Sequence, residues 1–146
     1  MEKLNLQRDK DDFYILEVNN NGDTVEFDLT DISLPEKICI ASDNIARISK
    51  EHDEEMLKLQ DEKDEYVATK KGIEIEKEKC AQMRKEFDSF MGEGACNKIF
   101  GDTNYYGMFL QLFDALEPHF EKMKIKKQKA MDKLRDKYLP KNNDVM

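Results

Sequence analysis

Two short stretches near the start of the chain alternate apolar and polar positions. Tyr14, Leu16 and Val18 alternate with Phe13, Ile15 and Glu17; after Asn-Asn-Asn-Gly-Asp, Val25, Phe27 and Leu29 alternate with Glu26 and Asp28. A period of two on both sides of a turn-rich break predicts a β-hairpin over 12–30, with Gly22 and the asparagines supplying the positive φ such turns need. Two strands alone are marginal in water, so the apolar face must pack on helices or on another subunit. Residues 1–11 are charged and aperiodic and read as a mobile lead-in.

The period then changes. Ser33 or Asp31 can cap a helix, Pro35 suits its first turn, and Glu36 favours the positive end of the dipole. Ile38, Ala41, Ile45 and Ile48 recur at three and four, slip at His52, and resume through Met56, Leu59 and Tyr66. A helix over 35–70 would be about 54 Å long, which suggests a coiled-coil-like arm. Gly72 is the first plausible interruption. Beyond it Ile73, Cys80, Met83, Phe87 and Phe90 continue the stripe. Residues 35–91 are therefore either a helical hairpin, the favoured expectation, or one helix bent near Gly72, since helical glycine costs only about 1 kcal/mol.

Glycines 92, 94, 101 and 107 break the next stretch into short helices, with Gly101 as a helix C-terminal residue and Asp102 or Thr103 as the following N-cap. Phe109, Leu112, Phe113 and Leu116 form another apolar face. Pro118 either starts a helix or kinks one, and Phe120, Met123, Ala130, Leu134 and Tyr138 carry the stripe to Pro140. The expected fold is mainly α with a small N-terminal β-hairpin: a long helical arm over 35–91, a short-helix C-terminal bundle over 93–139, one domain over 12–140, and a frayed tail at 141–146.

Composition narrows the class. The 146 residues suit one domain; 39% are hydrophobic and 38% charged, which fits an elongated helical protein better than a disordered chain. A net charge of −8 argues against nucleic acid or an anionic membrane as partner. The charge is uneven: residues 118–146 carry nine Lys or Arg against four acids, net +5, leaving −13 on the rest. Neutralisation of the basic helix against the acidic arm within the molecule is the expectation, another copy or an acidic partner the alternatives. Cys39, Cys80 and Cys96 form no C-x-x-C pair and suit reduced thiols, the start lacks the apolar core of a signal peptide, and no stretch is long enough to span a membrane. A soluble intracellular protein is expected.

Candidate chemistry is sparse. His52 and Glu55 have a metal-ligand spacing, but the matching carboxylates and second Glu-x-x-His pair of a di-iron bundle are missing. Cys96 and His119 could form a nucleophile and base, yet no orienting third group is legible, and buried cysteine is ordinarily a small hydrophobe. Gly-Glu-Gly-Ala-Cys-Asn-Lys-Ile-Phe-Gly at 92–101 follows a helix rather than a strand and lacks the ending of a phosphate loop. Pairs such as Glu74 and Glu76 are inevitable at this acid content. No catalytic residue, cofactor or metal is expected. Aromatic and methionine residues crowd into 87–113, and Tyr105, Tyr106 and Met108, near a helix start, are the candidate partner-binding residues.

The run from Phe87 to Lys122, with Phe-Asp-Ser-Phe-Met-Gly-Glu-Gly-Ala-Cys-Asn-Lys-Ile-Phe-Gly-Asp, an F-x-x-x-F-x-x-L helix at 109–116 and Pro-His-Phe-Glu-Lys, resembles the small tail assembly chaperones of long-tailed phages of Gram-positive bacteria. The resemblance extends over about 24–140 when the hairpin and the Pro-Glu-Lys helix start are included, and leaves the charged stretch 49–79 without a role. It implies a non-enzymatic protein of the host cytoplasm, absent from the finished virion, that binds the tape-measure protein before the tail tube polymerises. The major tail protein is the second partner it suggests. A long amphipathic client would aggregate if exposed, and an acidic helical protein with an apolar groove could keep it soluble. The rival readings are a self-associating coiled-coil adaptor, hence a homo-oligomer, and an acidic nucleic-acid mimic that inhibits a basic host protein.

Overall fold

The computed structural model describes residues 1–6 and 8–138. Strands β1 (Phe13–Glu17) and β2 (Thr24–Asp28) form the antiparallel hairpin, with Tyr14 opposite Phe27 and Leu16 opposite Val25. That register puts Val25, Phe27 and Leu29 into the core and packs Tyr14, Leu16 and Val18 against it. The hairpin is not left alone. The Lys98 ammonium donates to the Thr24 carbonyl, the Asn19 amide donates to the Lys98 carbonyl, and Lys126 donates to the Phe13 carbonyl at 2.7 Å.

The lead-in is structured from Arg8 onward, unlike the expectation for 1–11. Asp9 and Asp12 close a capping box around a 3-10 turn at Lys10–Asp12, and Arg8 donates to Asp28 at 2.7 Å. Its guanidinium, together with the Thr30 hydroxyl, holds the Asp28 carboxyl down at about 2. Local acid-to-amide bonds order a segment in which no apolar periodicity exists.

Helix α1 (Ser33–Lys58) starts from Ile32 with no side-chain cap bond, so neither Ser33 nor Asp31 caps it; Asp31, one residue before Ile32, accepts instead from the amide and the hydroxyl of Ser33. Ala41, Ile45 and Ile48 are buried against α2 (Glu65–Met91), which returns alongside. The helical hairpin is the arrangement adopted, but its break lies at Leu59–Asp64, not at Gly72. A 3-10 turn at Leu59–Asp61 unwinds the first helix, and the Asp64 carboxylate accepts from Tyr66 and Val67 to start the second. Gly72 continues inside α2 beside Leu59 and Met56. The capping acid decides where the chain turns, and the helix absorbs the modest cost of the glycine.

Further along, α3 (Ala95–Phe100) ends at Gly101, as the sequence leads one to expect, with a positive φ of 61° that favours glycine. Helix α4 (Tyr106–Tyr138) starts later than Asp102 or Thr103 predict, because Arg84 occupies the loop: it donates to the carbonyls of Gly101 and Thr103 and to the Asn104 side chain. Pro118 starts no helix; it lies inside α4. It removes one amide donor opposite Asp114, and both residues are exposed, so water can satisfy the freed carbonyl. Phe87 stacks on Phe109 at 6.1 Å, Phe100 meets Phe109 edge-on at 5.3 Å, and Phe90 tilts against Phe120, so α2 and α4 run in the same direction over the core. The protein is mainly α with one small hairpin. The expected frayed tail at 141–146 and the helix stop at Pro140 lie outside the described residues.

Candidate binding surface

The first turns of α1 and the middle of α4 splay apart beside the end of β2. Leu29, Leu34, Pro35, Ile38 and Cys39 face Phe120 and Met123 across a groove of about 300 Å³, and Lys124 and Lys127 stand on its α4 side. Leu29 and Met123 are buried, Leu34, Ile38 and Phe120 half-buried, and Cys39 exposed. The groove exists because two apolar stripes meet at an angle instead of closing. It can bind an apolar side chain or helix face and offer positive charge to acids beside it; it holds no acid–base pair.

The groups singled out in the sequence are placed elsewhere. Tyr105 is exposed and lays its ring over Gly107, where a Cβ would come within 2.9 Å of that ring. Tyr106 and Met108 are buried. Tyr106 stacks on His52 at 3.8 Å with rings 9° apart, and its hydroxyl, buried on the side of Ser49, makes no hydrogen bond of good geometry. Burial raises its pKa. The three candidate residues thus do not form one surface: the helix that begins at Tyr106 turns two of them inward.

His52, stacked in this way, also approaches Asp53 at 3.3 Å, while Glu55 pairs with Lys79. Lys79 is almost fully buried between α1 and α2, 3.3 Å from Glu51 and 3.5 Å from Glu55. His119 shares a 2.6 Å hydrogen bond with the Tyr14 hydroxyl. The Cys96 thiol donates to the Arg84 carbonyl, and burial, with the nearby Asp88 charge, pushes it up to about 12, so it has little thiolate to offer as a nucleophile. Burial likewise raises Cys80. Among the described residues no three His, Cys, Asp or Glu side chains cluster as a metal site, and no helix is long and apolar enough to cross a membrane.

Of the groove residues, Leu29, Ile38, Phe120 and Met123 are legible in the sequence as members of apolar stripes, whereas Leu34 and Cys39 carry no such signal. Ile38 and Phe120 each fit a helical core spacing, and nothing in the spacing tells that positions more than eighty residues apart would face one another without closing. Residues 21–144 match a family described as a family of unknown function, DUF6673. No curated protein and no solved structure matches the chain.

Proposed function

We propose that this chain, which belongs to the DUF6673 family, is a non-enzymatic chaperone that takes an amphipathic helix of its client into the groove between α1 and α4. The observation that carries the reading is the groove itself: an apolar floor of Leu34, Ile38, Phe120 and Met123 beside two lysines. An apolar helix face would fill it, and acids flanking that face would meet Lys124 and Lys127. The nucleophiles near the core are spent on structure, Cys96 on Arg84 and His119 on Tyr14, which favours binding over catalysis. The resemblance of Phe87–Lys122 to tail assembly chaperones makes a phage tape-measure protein the proposed client, bound in the host cytoplasm before tail-tube assembly.

Cys39 gives the test. It lines the groove and is exposed, whereas Cys80 and Cys96 are buried, so alkylation of the native protein reports on the groove. A co-expressed helical tape-measure fragment should be retained by the wild-type chain and should slow alkylation of Cys39 about tenfold or more, and Lys124→Glu with Lys127→Glu should weaken retention. Retention without protection of Cys39 would move the client to another surface. Failure of the wild-type chain to retain any tape-measure fragment would reject the chaperone reading.

A further inference from the structure

We propose that copies of this chain associate head to tail, the basic second half of one copy's α4 lying on the acidic arm tip of the next. The inference goes beyond the client-binding reading; Lys124 and Lys127 belong to both surfaces, but the residues altered in its test, Tyr66, Ile73 and Leu134, line no part of the groove. Its first support is a pair of matching apolar stripes, each covered at one end only. On α2, Phe87, Cys80, Ile73 and Tyr66 are separated by whole heptads and share one face. Phe109 covers Phe87 and the start of α4 stands beside Cys80, but Ile73 is 51% and Tyr66 75% exposed. On α4 the stripe Phe109, Phe113, Leu116, Phe120, Met123, Lys127, Ala130, Leu134 steps regularly by four and three. The body covers it as far as Met123 and half-buries Lys127 and Ala130; Leu134 and, one turn further, Tyr138 are 57% and 68% exposed.

The lengths match as well. From Tyr66 to Cys80 and from Lys124 to Tyr138 is fourteen residue steps in each case, about 21 Å of helix. Because α2 and α4 run in the same direction, a neighbour's residues 124–138 could lie along the uncovered part of α2 and end where this copy's own α4 begins. Charge specifies the pairing. Residues 53–78 carry ten acids and five lysines, net −5, and residues 124–138 carry seven bases and two acids, net +5. Among the described residues no ion pair joins these segments within the molecule; Lys133 pairs instead with Asp11. Because α2 and α4 run in the same direction and α4 begins beside Cys80, a neighbour whose residues 124–138 lie along this copy's 66–80 is displaced down the helix axis, and its own arm tip lies out of reach of this copy's tail; the contact is therefore heterologous and propagates, while tip against tip or tail against tail would oppose like charges.

Sedimentation velocity of the full chain tests this. At about 0.01 M salt the wild-type protein should form species larger than a dimer that grow with concentration, and these should dissociate near 1 M salt, where the screening length has fallen from roughly 30 Å to 3 Å. Leu134→Asp disables the tail, and Tyr66→Ser with Ile73→Ser disables the tip; all three positions are exposed, and helical circular dichroism checks that each variant is folded. Each variant alone should be monomeric, with association weakened about tenfold or more. Mixed, they retain one working tail and one working tip and should form a dimer that grows no further. A wild-type chain monomeric at low salt, a mixture that stays monomeric, or either folded variant assembling like the wild type would overturn the proposal.

Discussion

The two halves of α4 carry the same apolar spacing and meet opposite fates. In 106–123 the stripe is the core: Phe109, Leu116 and Met123 are buried among Phe87, Phe100 and the hairpin. In 124–138 the stripe runs on through Ala130 and Leu134, yet the last eight residues are all exposed. Periodicity therefore predicts the helix, not the burial. What distinguishes the halves in the sequence is their filling, since aromatic residues supply the first and lysines border the second. A stripe that finds no partner among the described residues is what a helix needs if its cover arrives from outside.

Truncation on the two halves is the widest test of that contrast. Phe109→Ala removes a fully buried ring touching Phe87 and Phe100 and should cost about 3–5 kcal/mol of stability, enough to unfold much of the population. Leu134→Ala should change the stability of the monomer by no more than about 0.5 kcal/mol. Chemical denaturation at high salt, where association is screened, reads both. Similar losses at the two sites would mean that the second half packs on the body in solution.

A smaller effect of opposite sign is expected where α4 begins. The Tyr106 hydroxyl is buried without a hydrogen bond while its ring stacks on His52. An unsatisfied buried polar group costs about 1–3 kcal/mol, so Tyr106→Phe should stabilise the fold by about 1 kcal/mol once some of that cost is discounted for relaxation. Loss of stability would show that Ser49 or a bound water completes the hydroxyl's bonding. The same burial makes Tyr106→Ala a poor probe of client binding, because it would empty the core; Tyr105→Ala, at an exposed ring, tests that surface without this confusion.

Much of this architecture could be read from spacing. The hairpin followed from alternation, and the Ile38–Ile48 seam from steps of three and four, because local geometry fixes which side chains share a face. Glycine is conspicuous in a sequence and points to Gly72 as the turn of the arm, whereas the deciding feature is one aspartate among many, Asp64, in position to cap. The charge imbalance was visible too, but its direction in space was not. The charge distribution leads one to expect internal neutralisation; α4 instead starts beside His52 and carries its lysines past Asp11 and Phe13, away from the acidic tip. The groove escaped for a related reason, as it depends on the angle between distant helices and not on the content of either.

The least disruptive test concerns the lead-in that the second half of α4 passes as it leaves the body. Lys126 donates to Phe13 and Lys133 pairs with Asp11, so that segment is held by the turn at Lys10–Asp12, and the turn is held to the hairpin by Arg8 on Asp28. The Asp28 carboxyl titrates at about 2 in the folded chain against 3.8 ordinarily. A depressed value means that its stabilising contribution is complete above the ordinary value and is lost as pH falls toward and through about 2. Because the pair is solvent-exposed, the consequence is local loosening rather than unfolding. The Thr30 amide, which donates to the same carboxylate, should report it: its chemical shift should titrate with a midpoint near 2, and Arg8→Ala should move that midpoint upward toward 3.8 while amides of 106–123 stay unchanged. A midpoint near 3.8 in the wild-type chain would show that Arg8 does not hold Asp28 in solution, and the second half of α4 would then rest on a turn without that tie to the hairpin.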